Sequence, residues 1–436
     1  MNEAAPIVFP EELQAEPEFI PVSRTDIISV ILAAGQWSSD NERALAESVL
    51  YKIGSLRQHQ SGIMLNELSD LYDIFNPDDE TVNIGEVTLG EKLERRHEFS
   101  QRVKDLVTSA NYRELSEEEL ADILTKMSPD GVRVEVDFSE FDMKLLFYRG
   151  EEDQKRSKGD IRWAFLRRLH YEVPIYKRLF MAIKFKAEEE RIAELMQEHN
   201  ISEQKARKKL KQIRSVIPPY VSTDHIYLKI FKEIPQHDVE MLFPNIRVKM
   251  KYRDKLQLGG SALLGTITWA LGTATKLLVT AILTPPMLAL ALISGFGGIM
   301  WAQIRNFFVT RDRYRMQLAQ SLYFQNLANN QGALAVMVDD AEEEDVKEEI
   351  LLFAHLLGHT VNYSQLEGVK ENINAFLHAN FGVDVQFDIY DALQRLIANG
   401  LVTQSHEGDL RTLSLTEANT HLYVRWCRAL ESKYAS

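Results

Sequence analysis

The chain has 436 residues, a length that suggests about two to four folding units. Its 50 Lys and Arg stand against 64 Asp and Glu, a net charge of -14, which argues against a general affinity for nucleic acid because phosphate binding needs a basic footprint. The single cysteine, Cys427, excludes an internal disulfide and a cysteine-based zinc site.

In chain order, residues 1–18 read as a flexible acidic tail with five glutamates and no Lys or Arg. That composition fits neither a secretory signal nor a mitochondrial transit peptide. Residues 19–130 read as a helical domain. "DNERALAESVLYKIGSLRQH" and "GEKLERRHEFSQRVKDLVTSA" space their apolar residues helically, and Ser116 with Glu119 forms a capping box.

Residues 131–246 read as an α+β domain with antiparallel strands. "VRVEVDF" (132–138) and "MKLLFYRG" (143–150) suggest a β-hairpin, and 175–185 and 225–231 suggest further strands. A charged insertion at 186–216 reads as a helical hairpin or one long helix, acidic first and basic after. It is either a partner-binding arm or a solvated element.

Residues 247–257 form a basic juxtamembrane ladder: Arg247, Lys249, Lys251, Arg253 and Lys255 alternate with other side chains. From Leu258 to Ile304 the only charged residue is Lys276. About 20 apolar residues span a bilayer, so 258–304 suffices for a two-helix transmembrane hairpin turning at Thr284, Pro285 and Pro286. Both flanks are basic, Arg305 opening the second, which places both termini on the cytoplasmic side. The ladder and Arg305 are then expected at lipid headgroups, with Lys276 snorkelling or lining a path. Small residues at four-residue spacing, such as Ser261/Gly265 and Ala291/Gly295, suit packing within the hairpin or oligomerisation.

Residues 305–360 read as a charged helical region. Its acidic run, Asp339 to Glu349, is expected to be a solvated face or to meet the basic ladder. Residues 361–436 order as helix, helix, strand–turn–strand, helix, a winged-helix-like arrangement. The second of those helices carries Asp388 and Asp391 against one Arg395, which is protein-contact or structural chemistry and not DNA reading.

No phosphate-binding loop, dinucleotide motif or nucleophile–base set can be argued, and no cofactor or metal is assigned. His355 and His359 have the spacing of zinc-protease ligands, but Leu356 stands where the catalytic Glu would be, so both read as structural. Glu140/Asp142 and Asp339/Asp340 are carboxylate pairs without a partner visible in the sequence.

The stretches "FIPVSR" (19–24), "ANYREL" (110–115), "VDFSEFDMKLLFYRG" (136–150), "YLKIFKEIPQHDVEMLFP" (227–244), "LYFQNLANNQGAL" (322–334), "DDAEEEDVKEEILLFAHLL" (339–357) and "FDIYDALQRLIANGLV" (387–402) follow one another. Their order resembles the transmembrane protein 143-like family, built on a domain of unknown function, from about Phe19 to Trp426. The resemblance implies a multi-domain membrane protein with two spans and supplies no reaction or catalytic residue.

The expected fold is therefore α+β, mainly α: a helical N-terminal region, a small antiparallel sheet region, a two-helix transmembrane hairpin and a C-terminal winged-helix-like domain. The expected location is a bacterial inner membrane, with a mitochondrial membrane as the alternative. The expected role is a membrane-anchored scaffold or adaptor with partners in the lipid bilayer and an unknown protein, and with homo-oligomerisation left open. The alternatives are an oligomeric channel or transporter subunit and a membrane-bound enzyme with an unrecognised site.

Overall fold

A computed structural model describes residues 19–78, 88–125, 133–159, 168–219, 221–245, 247–249 and 324–432. The chain divides into two compact units. The first joins the N-terminal residues through Glu114 to Asn330–Ser436, and the second is Leu115–Asn329.

The first unit opens with α1 (Arg24–Ala34), α2 (Asp40–Tyr72) and α3 (Leu89–Ser109), followed by the short strand β1 (Arg113–Glu114). The helix starts are written in the sequence. Ser23, Ser39 and Thr88 each accept a backbone N–H at a helix N-terminus, and Thr88 with Glu91 closes a capping box. Further along the chain the same unit contains α7 (Asn330–Leu356), β8 (Thr360–Asn362), α8 (Leu366–Phe381), α9 (Ile389–Ala398), β9 (Val402–Gln404), β10 (Asp409–Thr412) and α10 (Leu415–Ser432). The three strands form an antiparallel sheet in the order β8-β10-β9. Helix, strand, two helices and a two-stranded wing follow one another as in a winged helix, with the C-terminal half of α7 as its first helix.

Helix α7 is the axis of this unit. Helices α1, α2, α3, α8 and α9 all pack on it. No residue from Ala341 to Leu356 is exposed. The core gathers Ile27 and Ile31 of α1, Val49 and Ile53 of α2, Val346, Ile350 and Phe353 of α7, Ile373 of α8 and Leu393 of α9. Gly54 lies at the close approach of α2 to α7, where an added Cβ would meet Arg24 Nη1 and Val346 Cγ1, each at 3.4 Å.

The second unit is built on a long antiparallel hairpin of β3 (Phe141–Gly159) and β4 (Arg168–Phe185). Strand β5 (Ile226–Pro235) pairs with the other edge of β4, and β7 (Asn326–Asn329) pairs with β5. In β4, Leu179 to Ile183 are all buried, so the middle of the sheet is covered on both faces, and its sequence is continuously apolar instead of alternating. One face packs Met181, Ile183 and Phe185 with Phe231, Phe243 and residues of α4 (Glu117–Thr125). Rings interleave there: Phe141 lies 5.0 Å from Phe185, and Tyr148 lies 4.4 Å from Tyr176.

Residues 186–216 form a helical hairpin of α5 (Glu188–His199) and α6 (Glu203–Ile213). Asn200 makes the turn from the left-handed region at φ 49°, which Asn tolerates well. The two helices share a small core of Ile192, Leu195, Ala206, Leu210 and Ile213. A buried ion node fastens their base. Fully buried Glu140 accepts from Arg191 Nε at 2.8 Å and from Arg214 Nε at 3.0 Å. Arg191 also donates to Ser139, Glu194 and Glu198, and Arg214 donates to the Lys186 carbonyl.

Several sequence expectations need correction. The partner of 143–150 is β4, not 132–138; β2 (Arg133–Glu135) pairs instead with β6 (Arg247–Lys249), across more than a hundred residues. The fold is mixed α/β, and no helix among the described residues is long and apolar enough to cross a membrane. That finding overturns the transmembrane hairpin, the mainly-α class that contained it, and the multi-pass inner-membrane location with its mitochondrial alternative. The run on which they rested, 258–304, lies outside the described residues.

The Glu140 node generates a prediction. Arg191→Met leaves the buried carboxylate with one of its two guanidinium partners, and breaking a buried pair costs about 3–5 kcal/mol. Amide hydrogen exchange across 188–213 should accelerate strongly, while α7 keeps its protection. Unchanged exchange in both helices would refute the clamp.

Candidate functional site

The acidic run expected at a solvated surface is the most heavily buried charge cluster described. Glu342, Glu344, Glu348 and Glu349 are all buried on α7, with Asp345 largely so. Each is matched by a cation, Lys347 of α7 itself for Glu344 and arginines of α1, α2 and α9 for the others. Arg24 of α1 bonds Glu342 at 3.0 Å and contacts Glu343. Lys347 bonds Glu344 at 2.9 Å and the Ile20 carbonyl at 3.0 Å, while the Ile20 N–H donates to Glu344.

The densest part lies where α2, α7 and α9 meet. The Arg395 guanidinium of α9 binds Asp345 at 3.0 Å, and also binds Glu348 and Asp391 closely. Its Nε lies 3.5 Å from Glu349 Oε1. Arg57 of α2 pairs with the other oxygen of Asp345, and Asn399 donates to Glu349 Oε2 at 3.1 Å. The spacing follows from the helices. Asp345, Glu348 and Glu349 fall at i, i+3 and i+4 on one stripe of α7, and Asp391 and Arg395 at i, i+4 on α9.

Four carboxylates therefore face two guanidiniums. Burial raises Glu348 to about 8, with Arg395 offsetting part of the effect and Asp345 adding to it. Burial likewise raises Asp345 and Glu349. For Arg395, burial alone would favour the neutral form, but the surrounding carboxylates more than reverse this and keep it protonated. Oxygens of Asp345, Glu348 and Asp391 lie within 4.8 Å of one another, a spacing compatible with a metal ion. The Arg395 guanidinium contacts all three, so the positive charge such a set requires is supplied by the protein itself. The chemistry this arrangement offers is proton storage and a register lock between helices.

Of the residues singled out from the sequence, Arg247 and Lys249 lie in β6, opposite Glu135 and Arg133 of β2. Lys251, Arg253, Lys255, Lys276, Thr284, Pro285, Pro286 and Arg305 lie outside the described residues. His355 packs its ring against Phe376 and bonds the Leu351 carbonyl at 2.8 Å, and burial lowers its pKa. His359 is exposed. The Glu140/Asp142 pair is divided between partners, Glu140 with the two arginines and Asp142 with Lys184. Sequence reading missed the Arg57–Asp345–Arg395 cluster. The only local trace of it was the lone arginine in an otherwise acidic helix.

Among known families, the model described as "Protein of unknown function (DUF3754)" matches residues 145–332. The match runs from within β3 to the start of α7, so the chain carries a domain of unknown function across most of its second unit. No solved structure matches the chain.

The cluster makes stability depend on pH. Glu348 has an ordinary value of 4.5 and a folded value of about 8, so between those values the folded state holds a proton that the unfolded chain releases. The stability from this group is complete below about pH 4.5 and is lost as pH rises to about 8. Asp345, Glu349 and Glu342 are shifted in the same direction. The groups acting on Glu348 are Arg395 from α9 and Asp345 and Glu344 on α7; Arg57 from α2 and Asn399 and Asp391 from α9 complete the cluster through Asp345, Glu349 and Arg395. Amide exchange in α7 should speed up across that window, and Glu348→Gln should flatten the slope. Arg395→Met should destabilise the unit by about 3–5 kcal/mol, since it strands buried carboxylates. An unaltered pH slope in the Gln variant would refute the assignment.

Proposed function

We propose that the chain is a non-enzymatic scaffold or adaptor that holds partner proteins. The observation supporting this reading is the outward face of α9. Tyr390, Gln394 and Ile397 follow at i, i+4 and i+7 and are exposed, Tyr390 by 42% and Ile397 by 37%. Exposed Tyr363 lies 6.0 Å from the Tyr390 ring, and the Tyr390 hydroxyl donates to Glu367 at 3.0 Å. Aromatic side chains with polar tips are enriched at protein interfaces.

A DNA-reading helix in this position needs cations toward the groove. Here the only cation of α9, Arg395, is turned inward onto four carboxylates. Exposed Asp388 and Asp391 start the helix and Glu367 meets Tyr390, while Arg425 donates to the Ala398 carbonyl at its other end. The motif order from Phe19 to Trp426 further supports kinship with the transmembrane protein 143-like family, a likeness that assigns no activity. The channel reading rested on 258–304 and is not carried forward.

Two measurements test the proposal. Duplex DNA titrated at physiological salt should give no change in fluorescence anisotropy. Partners recovered with the tagged native protein and identified by mass spectrometry should be lost from Tyr390→Ala/Ile397→Asp, their affinity falling roughly tenfold or more as for a central interface residue. Tight, sequence-dependent DNA binding would overturn it, as would unchanged partners in the double variant.

A further inference from the structure

The α5–α6 hairpin divides its charge by helix. Exposed glutamates Glu188, Glu189 and Glu190 open α5, and α6 carries Lys205, Arg207, Lys208, Lys209 and Lys211. Arg207 is neutralised, lying 3.6 Å from Glu188 and 2.8 Å from Glu203. Lys205, Lys208 and Lys211 form no ion pair with any described residue, although all three are exposed. They follow at three-residue spacing, with Lys208 opposite the buried Ala206, Leu210 and Ile213. Like charges at that spacing repel along a helix. Three adjacent unmatched cations in a chain of net charge -14 are therefore a local excess against the overall balance.

The hairpin presents this strip rigidly. Arg191 near the start of α5 and Arg214 just past the end of α6 both bind buried Glu140, so the two ends are fixed at one point. The face needs little ordering when it meets a ligand, and preorganised groups bind more tightly than flexible ones.

We infer that the Lys205–Lys208–Lys211 face of α6 is a docking site for a short acidic segment of a partner protein. Charge complementarity selects anions, and the surroundings select a short one. Lys205 to Lys211 span about 9 Å at 1.5 Å rise per residue, a reach of two or three carboxylates. Beyond that strip lie the exposed glutamates of α5, which repel a continuous polyanion such as duplex nucleic acid. The site belongs to the second unit and does not depend on the α9 face.

The test uses the full chain and a fluorescein-labelled octaglutamate peptide at low ionic strength. Binding should be at least tenfold weaker for K205A/K208A/K211A, and weaker still for K205E/K208E/K211E. Alanine favours helix, so circular dichroism should be unchanged. K92A, on the exposed start of α3, should bind like wild type. Equal binding by wild type and the triple alanine variant would overturn the proposal. So would duplex DNA binding to the same face as tightly as the peptide, which would make it a general polyanion surface. Concentration-dependent self-association lost in the triple variant would also overturn it, making the occupant a second copy of the chain.

Discussion

The first unit depends on one requirement: carboxylates on a stretch of helix with no exposed residue must each meet a cation or a proton. An unpaired buried charge costs several kcal/mol, more than most single contacts contribute. Helix α7 places Glu342 to Glu349 in that position. Apart from Lys347, which meets Glu344 on α7 itself, the matching cations are on other helices: Arg24 is 318 residues from Glu342, and Arg57 is 288 from Asp345. A displacement of α1 or α2 by a turn along α7 would strand both charges as well as break the close apolar fit at Gly54. This explains why segments separated by the whole of residues 115–329 form one compact unit.

The second unit meets the same requirement with a different balance. Glu140 is one carboxylate between two arginines, and Asp345 is likewise bridged by Arg57 and Arg395. The neighbourhoods differ. Arg191 gathers Glu194 and Glu198, which are partly or fully exposed, so excess negative charge there is hydrated. Around Arg395 the extra carboxylates Glu348 and Glu349 are buried, and the shortfall of cations is met by holding a proton on Glu348. Stability at the Arg395 node therefore depends on pH.

What could be read from the sequence follows from the range of each signal. Capping is local, and Ser116 with Glu119 forms the reciprocal pair that its spacing implies, at 2.8 and 3.2 Å. Helix over 40–59 and 90–110 and the strands within 175–185 and 225–231 were legible for the same reason, although the first helix runs on to Tyr72. The helix–helix–wing order was legible because each element is short and bounded by its own turn, such as Gly382 at φ 66°. Long-range pairings left no local trace. Nothing near 133–135 names 247–249 as its partner, and nothing near Glu348 names Arg57. The acidic run was misread because charge patterning assumes that an unmatched charge is hydrated. Except for Lys347 within the run, its matches lay on helices that only the fold brings together. The membrane expectation rested on hydropathy over 258–304, and no described helix supports it.

The interior chemistry also shapes the outer surface. A helix of ten residues such as α9 has few positions for a cation, and this one spends its only arginine on the buried carboxylates of α7. The cost of leaving Asp345, Glu348 and Glu349 without it keeps that side chain inward. The outward stripe of the helix is then left to Tyr390, Gln394 and Ile397. A winged-helix arrangement reads nucleic acid through cations on that stripe. Here the only arginine of α9 is held by the core, so the requirement that holds the unit together also leaves its exposed stripe without a cation of its own.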